Sequence, residues 1–156
     1  MTTIRMRKDN AREATQLHRM QCLAKKGNCF FCGNNYIRIG ATPAIHKTTH
    51  WYIKKNDYPY KGSIHHYLIA SRDHVTRVTN IKPSAWSELL GVVRWLERYL
   101  KIKGGSIFVR FGDIRYTGAT LDHLHFHLIV GGPKKKDGKI KDNILVTLGH
   151  QKKIGR

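Results

Sequence analysis

The apolar residues divide the chain into helix-like and strand-like segments. Five of them at helical spacing predict an amphipathic helix over residues 9–24: Ala11, Ala14, Leu17, Met20 and Ala24. A second helix is expected to begin at Pro83, because proline is well tolerated at the first helical position, and to end before Gly104-Gly105. Its predicted buried stripe is Trp86, Leu89, Leu90, Val93, Leu96 and Leu100.

Strand-like stretches occupy much of the remaining chain. They are predicted at residues 36–39, 49–53, 63–70, 106–111 and 123–130. Residues 28–34 are expected to form a tight knuckle and residues 56–62 a loop. About five strands and two main helices, without an internal repeat, predict an α+β fold with an antiparallel sheet.

The last predicted strand carries a histidine pattern that points to chemistry. Because side chains alternate along a strand, His123, His125 and His127 share one face, and an apolar face opposite them belongs in the core. Neutral imidazole can act as a nucleophile, a proton carrier or a metal ligand. Two chemistries remain open: a metal site, and nucleophilic catalysis in which the middle imidazole attacks an electrophile such as phosphorus. The loop at residues 116–120 offers hydroxyls and backbone N–H groups to phosphate oxygens.

The cysteines suggest a second site. Cys29 and Cys32 have the spacing of a tetrahedral zinc site, although one such pair supplies half the ligands and a redox pair is the alternative. Cys22 fits no pattern and is interpreted as a packing residue. The odd cysteine count favours a reduced compartment, and a cytoplasmic location is expected, because neither a secretory signal nor a membrane-spanning run is evident.

The excess of basic residues says more about the partner of this protein than the rest of its composition does. The 156 residues include 29 Lys+Arg and 10 Asp+Glu, a formal net charge of +19, and 40% of them are hydrophobic, which is too many for a disordered polycation. The excess is spread over the whole chain and predicts an anionic partner. Three parts are proposed: a basic N-terminal helix (1–27), a catalytic domain with the knuckle (28–132) and a basic C-terminal tail (133–156).

The motif His123-Leu124-His125-Phe126-His127 resembles the signature of the histidine triad (HIT) superfamily, specifically its zinc-containing hydrolases and nucleotidyltransferases. The resemblance extends to His66 through His74, which is similar to the family strand that carries a fourth histidine. It implies that His125 is the nucleophile and forms a covalent nucleotidyl intermediate. It also implies that His127 contacts phosphoryl oxygens, that His66 orients the catalytic imidazole and that Thr120 lies near the leaving atom. The substrate-binding set is Thr120, Gly118, Ala119 and His127.

The resemblance also completes the metal site. Many HIT proteins pair such a knuckle with two histidines, which by position are His74 and His123. A structural zinc held by Cys29, Cys32, His74 and His123 is therefore implied, and four protein ligands leave no open position for catalysis. A homodimer is a further expectation of the resemblance.

Three functions compete at this point. The first is a hydrolase or nucleotidyltransferase that cleaves at the α-phosphate of a nucleotide, with a dinucleoside polyphosphate such as diadenosine tetraphosphate or a related nucleotide conjugate as substrate. The second is an aprataxin-like deadenylase acting on nucleic-acid ends, which suits the basic surface. The third is a non-catalytic, zinc-stabilised nucleic-acid-binding protein.

Overall fold

The computed structural model describes residues 6–27, 29–133 and 143–150. These residues form five strands: β1 (His46–Lys47), β2 (Trp51–Lys55), β3 (His65–Ser71), β4 (Ser106–Val109) and β5 (His125–Val130). The strands make one antiparallel sheet in the order β1-β2-β3-β5-β4. The predicted α+β fold with an antiparallel sheet is confirmed.

In the described ranges three α-helices accompany the sheet: α1 (Ala14–Lys25), α2 (Asn35–Arg38) and α3 (Pro83–Leu100). Helix α3 begins at Pro83 as predicted and ends at Leu100, and the next residue, Lys101, adopts a left-handed conformation with φ of 50°. None of the helices in the described part of the chain combines the length and apolarity needed to cross a membrane.

The two faces of the sheet have different partners. On one face, α3 packs against a core that includes Ile53, Ile69 and Phe126. On the other face, Leu68 pairs with His127 and Ala70 with His125 in the β3–β5 register. The knuckle covers that face. Phe31 of the knuckle and the following Tyr36 form a buried cluster with Leu68 and Ala70 of β3 and with Leu121. The alternation in β5 therefore separates core from site as the sequence predicts.

The predicted strand at residues 36–39 is wrong, because Asn35–Arg38 is the single-turn helix α2. Gly33 and Asn34 have positive φ values of 56° and 60° and turn the chain just before it. The Tyr36 side chain is then completely buried against the rings of Phe30 and Phe31. A short apolar run does not distinguish a strand from a helix, and tertiary packing decides here. The two-residue strand β1 was not among the predicted strands.

The buried stripe of α3 is also displaced from the predicted one. Leu89 and Leu96 are buried as expected, but Trp86 and Leu90 are 43% and 54% exposed. Two apolar stripes run side by side on this helix, and the sheet covers the one that contains the smaller Ala85 and Val92.

The division into three parts stays a prediction. The lysines that make the predicted tail basic, at positions 134–136, 139, 141, 152 and 153, lie outside the described residues. The segment 143–150, within that predicted tail, lies against the loop that precedes β5, since the Thr147 carbonyl approaches Gly118 closely.

Candidate active site and metal centre

The four predicted metal ligands come together from three separate stretches of the chain. The knuckle contributes Cys29 and Cys32, the segment after β3 contributes His74, and the segment entering β5 contributes His123. Their ligand atoms all lie within 4.8 Å of one another. The structure thus places these residues as one Cys2His2 cluster that could hold a metal ion.

The distances between the ligand atoms match those around a tetrahedral zinc ion. Bonds of about 2.3 Å to sulfur and about 2.05 Å to nitrogen at tetrahedral angles separate S and N by about 3.6 Å and two N atoms by about 3.3 Å. Cys29 Sγ lies 3.3 Å and Cys32 Sγ 3.7 Å from His123 Nδ1. Cys32 Sγ lies 3.5 Å from His74 Nδ1, and the two Nδ1 atoms are 3.3 Å apart. The residues present fit a zinc ion.

The ring of His123 is oriented for ligation by a hydrogen bond on its far side. Its Nε2–H donates to the carbonyl of Ser71 at 2.7 Å, because a carbonyl can only accept. Nδ1 is then the unprotonated nitrogen and faces the cysteines, which is the usual arrangement of metal-binding histidines. A hydrogen bond from the Cys32 thiol, with help from His123, lowers the pKa of Cys29 to about 3, although burial acts in the opposite direction. Cys29 is therefore a thiolate, the form that binds metals.

His125, two residues further along, has the opposite orientation. Its Nδ1 lies 2.6 Å from the carbonyl of His123 and donates its proton there. The unprotonated nitrogen is therefore Nε2. Burial lowers the pKa of His125 to about 4, so that the imidazole is neutral near pH 7. A neutral imidazole with a free Nε2 lone pair is the form that can act as a nucleophile.

His127 and His66 form a buried pair behind His125. His66 Nε2 lies 2.9 Å from His127 Nδ1, and the rings of His125 and His127 are 4.9 Å apart. Burial is the main cause that lowers the pKa of both residues, to about 3 for His66 and well below its usual value for His127. The positive charges of Arg12 and Arg110 lower both pKa values further.

Two openings meet at His125 and His127. One is a narrow slot of about 70 Å³ with apolar walls that include Met20, Phe30, Phe31, Leu68 and Leu121. The other is a more polar cavity of about 260 Å³ whose lining includes Arg12, Tyr60, Arg110, Gly118 and Ala119. Thr120, His125 and His127 line both openings. We call them the apolar slot and the basic cavity.

The predicted substrate-binding loop borders the basic cavity. Gly118, Ala119 and Thr120 all line it. The N-terminal segment holds this loop, since the Arg7 N–H donates to the Thr120 carbonyl at 3.0 Å and Asn10 Nδ2 to the Ala119 carbonyl at 2.8 Å. The Ala119 N–H donates to the Thr117 hydroxyl at 3.2 Å and is therefore engaged within the loop. Gly118 has no room for a side chain, because a Cβ there would lie 2.5 Å from the Thr147 carbonyl.

Comparison with known proteins identifies the family. A family model of the HIT domain matches residues 45–134. The chain belongs to the HIT domain family. The comparison with curated proteins gives no match.

Solved structures share the HIT fold with this chain. A histidine triad nucleotide-binding protein from Candida albicans is 25% identical with a TM-score of 0.55, and the alignment covers 83% of this chain and 85% of that one. A HIT family hydrolase from Clostridium thermocellum is also 25% identical, with a TM-score of 0.53 and coverage of 76% and 97%. A Zn-bound histidine triad family protein from Mycobacterium smegmatis is 18% identical, with a TM-score of 0.50 and coverage of 77% and 84%.

The part that matches the HIT domain model includes the whole sheet and the triad but begins after α1 and the knuckle. Both of these contribute to the site. Helix α1 supplies Gln16 and Met20 to the apolar slot, and the knuckle supplies Phe30, Phe31 and two of the cluster's thiols.

Several residues around the HIT triad and His66 were not predicted from the sequence. Arg110 Nη1 lies 3.2 Å from His127 Nε2, Tyr60 stacks on His66 with ring centroids 4.9 Å apart, and Asn56 Nδ2 lies 3.1 Å from His66 Nε2. The Arg12 guanidinium lies 4.2 Å from the Tyr60 ring centroid. None of these residues stands in a motif. The one available indication for Arg110 is its place at the end of a strand, before Gly112, among unassigned basic residues.

Proposed function

We propose that this HIT protein is a nucleotide hydrolase or nucleotidyltransferase that cleaves at the α-phosphate of a nucleotide through a covalent nucleotidyl-histidine at His125. The observation that carries this proposal is the state of His125. Its Nδ1 donates to the His123 carbonyl, so that the free Nε2 lone pair belongs to a residue lining both openings. The family and its hydrolase and nucleotide-binding relatives support the same conclusion.

The proposed reaction has two steps. In the first, His125 Nε2 attacks the α-phosphorus, a P–N bond to the histidine forms, and the bond to the leaving group breaks. With a phosphoanhydride that is a P–O bond whose electron pair stays on oxygen, and with a phosphoramidate it is a P–N bond whose nitrogen keeps the pair and takes up a proton from solvent. In the second, water attacks the same phosphorus, the P–N bond breaks, and a nucleoside monophosphate is released with neutral His125 restored. The proton of the water passes to solvent or to the leaving group. Transfer to another acceptor would replace water in the second step.

The other predicted site residues have supporting roles in this proposal. His127 and Thr120 contact phosphoryl oxygens, and Gly118 and Ala119 form the wall of the basic cavity beside them. The family resemblance assigns His66 to the catalytic imidazole, but its Nε2 lies 2.9 Å from His127 Nδ1, so in this proposal His66 orients His127, the neighbour of His125. The apolar slot is too small to enclose a nucleoside, so we place the base at its mouth, against the ring of Phe30.

Zinc is proposed as the occupant of the Cys2His2 cluster, with a structural role. When bound, the ion would join the knuckle to the strand that carries His125, because His123 belongs to the cluster and its carbonyl accepts the proton of His125. A homodimer remains a prediction from the family resemblance.

The test is intermediate trapping with mass spectrometry. Protein of measured zinc content is mixed with diadenosine tetraphosphate or with adenosine phosphoramidate and quenched within seconds. The wild-type chain should gain the mass of one adenylyl group, located on His125 by peptide analysis. The His125→Ala variant should gain none. Equal turnover by the two proteins would overturn the proposal.

A second candidate, removal of adenylate from nucleic-acid ends, is favoured by one observation. The net charge of +19 exceeds what a small dinucleotide requires, and it is spread over the chain. Binding of an adenylated DNA end should weaken steeply with salt, since every phosphate contact releases counterions. A weak salt dependence together with faster turnover of free dinucleotides would exclude this candidate. Tight DNA binding that survives His125→Ala, without turnover of any nucleotide, would instead favour a non-catalytic binding protein.

A further inference from the structure

The basic cavity contains a proton arrangement that calls for an anion. Its starting point is His66 Nδ1, which lies 3.1 Å from the backbone N–H of Tyr60. A backbone N–H can only donate, so Nδ1 is the acceptor and the proton of neutral His66 sits on Nε2. Asn56 Nδ2 lies 3.3 Å from Nδ1 and 3.1 Å from Nε2 and so does not distinguish the two ring nitrogens. The Tyr60 N–H donates to Nδ1 and therefore decides the tautomer.

This assignment fixes the proton of the next histidine. His66 Nε2–H donates to His127 Nδ1 at 2.9 Å, so neutral His127 carries its own proton on Nε2. His127 Nε2 faces Arg110 Nη1 at 3.2 Å, and a guanidinium can only donate. Two N–H donors therefore point toward each other. Within the part of the chain that the structure describes, no carbonyl or carboxylate accepts from Arg110 Nη1 or His127 Nε2, and an oxyanion beside them could accept from both.

Arg110 is held in place for such a role. Its Nε donates to the Thr147 carbonyl at 3.0 Å, and its Nη2 donates to the same carbonyl and to the Tyr60 hydroxyl at 2.8 Å. The ring of Phe108 lies 4.9 Å from the guanidinium carbon. These contacts occupy one edge of the guanidinium and direct Nη1 toward the triad. The residue is 9% exposed, so its charge is largely removed from water.

The charges that line the basic cavity also favour an anion. Arg12 lines the cavity beside Arg110. Among the described residues, Asp9 is the one carboxylate in the lining, and it accepts hydrogen bonds from Arg7. A cationic cavity whose one described carboxylate is already paired with another arginine favours a bound anion, and a guanidinium matches phosphate in shape. Neither Arg12 nor Arg110 lines the apolar slot, where the charged lining residues are Arg19 and Asp57, which face each other at 4.0 Å.

We propose that Arg110, together with His127 and Arg12, binds the phosphate that departs, so that the preferred substrate is a nucleotide joined through a phosphoanhydride to a second phosphate. This inference rests on the function proposed above and names its substrate class. With the nucleoside at the mouth of the apolar slot, the group beyond the scissile bond enters the basic cavity. When the bond between the α-phosphorus and the bridging oxygen breaks, the electron pair stays on that oxygen, and Arg110 and His127 donate hydrogen bonds to it.

The same geometry disfavours an amine as leaving group. An amine that departs from a phosphoramidate must take up a proton, and a guanidinium does not release one. An ammonium group would also lie beside two guanidinium groups, which repel it. A phosphate leaving group needs no proton and is attracted by both arginines.

The kinetic test compares two substrates that share the adenylyl group. Diadenosine tetraphosphate has a phosphate leaving group, and adenosine phosphoramidate has an amine. Arg110→Gln should lower kcat/KM about 100-fold for the first substrate and less than about threefold for the second, as expected for one lost donor to a developing oxyanion. Arg110→Lys should recover part of the loss. Arg12→Gln changes an exposed side chain and should give a smaller loss in the same direction.

The binding test does not require turnover. Inorganic tripolyphosphate is titrated into the wild-type protein by calorimetry, and Arg110→Gln should weaken binding about tenfold or more. The matched control is Arg94→Gln, which removes the same charge from the exposed face of α3, on the other side of the sheet. This control should change the affinity less than about twofold. Thermal unfolding of each variant shows whether it is folded.

The inference would be overturned if Arg110→Gln lowered kcat/KM equally for the two substrates. It would also be overturned if Arg110→Gln and Arg94→Gln lowered the affinity for tripolyphosphate equally. In both cases an adenylyl-His125 adduct would still support the proposed function. If Arg110→Gln does not fold, the same comparison is made with Arg12→Gln. Absence of any adduct with either substrate would overturn the proposed function. Failure of the wild type to bind tripolyphosphate would overturn the inference alone.

Discussion

His123 and His125 stand two residues apart on the same side of the chain, yet their surroundings give them opposite tasks. His123 donates from Nε2 to the Ser71 carbonyl and presents Nδ1 to two cysteines in a cluster of four ligands. His125 donates from Nδ1 to the His123 carbonyl and keeps Nε2 free beside two openings. The comparison teaches that the hydrogen bond made by one ring nitrogen decides what the other can do.

The largest expected effect separates the two histidines by chemistry. His125→Asn should lower turnover by about 10⁴-fold, because the nucleophile is lost, while zinc content and melting temperature stay close to those of the wild type. Steady-state kinetics, metal analysis and thermal unfolding measure the three quantities. His65→Asn, on the opposite face of β3, is the matched control and should keep activity. Loss of zinc from His125→Asn would contradict the separation of the two sites.

The next effect concerns the metal cluster and its contribution to stability. Cys29→Ser should release the metal and lower the free energy of unfolding by about 3–5 kcal/mol, since metal binding is coupled to folding. The measurement is denaturant unfolding of protein with known zinc content. Cys22→Ser is the control, because Cys22 lies outside the cluster. A Cys29→Ser protein that is as stable as the Cys22→Ser protein would show that the cluster does not hold the fold together.

A smaller effect concerns acid stability. The pKa of His66 is about 3 in the folded protein and about 6.5 in an unfolded chain. Below pH 6.5 the unfolded chain therefore binds a proton that the folded protein does not, and stability falls as the pH is lowered from about 6.5 toward 3. The slope contributed by this residue reaches at most about 1.4 kcal/mol per pH unit.

Replacing His66 should reveal that contribution. His66→Asn is expected to be less stable than the wild type at pH 7.5 but to lose less stability between pH 6.5 and pH 5. Urea unfolding at each pH measures the slope, and metal content is determined alongside, because metal loss would steepen the slope of both proteins. Identical slopes would mean that His66 does not remain neutral in the folded protein.

The smallest expected effect tests the junction between the two openings. Thr120 lines both of them, and Thr120→Val removes its hydroxyl with little change in volume. We expect kcat/KM to fall about three- to tenfold, the size of one hydrogen bond, and Thr120→Ser to restore it. Zinc content should not change. Full activity of Thr120→Val would remove Thr120 from the site and leave the histidines as its centre.

The sequence predicted the strands β2, β3, β4 and β5 and the helix α3 well, because their patterns are long and regular. It failed at residues 36–39, where the burial of Tyr36 in the knuckle outweighs local preference. It also placed Trp86 in the core, although that residue is 43% exposed. In both cases the deciding contact lies with another part of the chain, which a periodicity argument does not contain.

What the sequence determined by itself was the material of the site. Alternation along the predicted strand at residues 123–130 put three imidazoles on one face, although β5 itself begins at His125. The family resemblance named Cys29, Cys32, His74 and His123 as one set, and the structure brings them together. Only the tertiary structure decided how these groups are protonated and what faces them. Arg110 meets a triad residue 17 positions away, and the tautomer of His66 depends on the backbone N–H of Tyr60. Such contacts depend on how distant segments pack, because the direction of a hydrogen bond is set by the partner that folding brings to it.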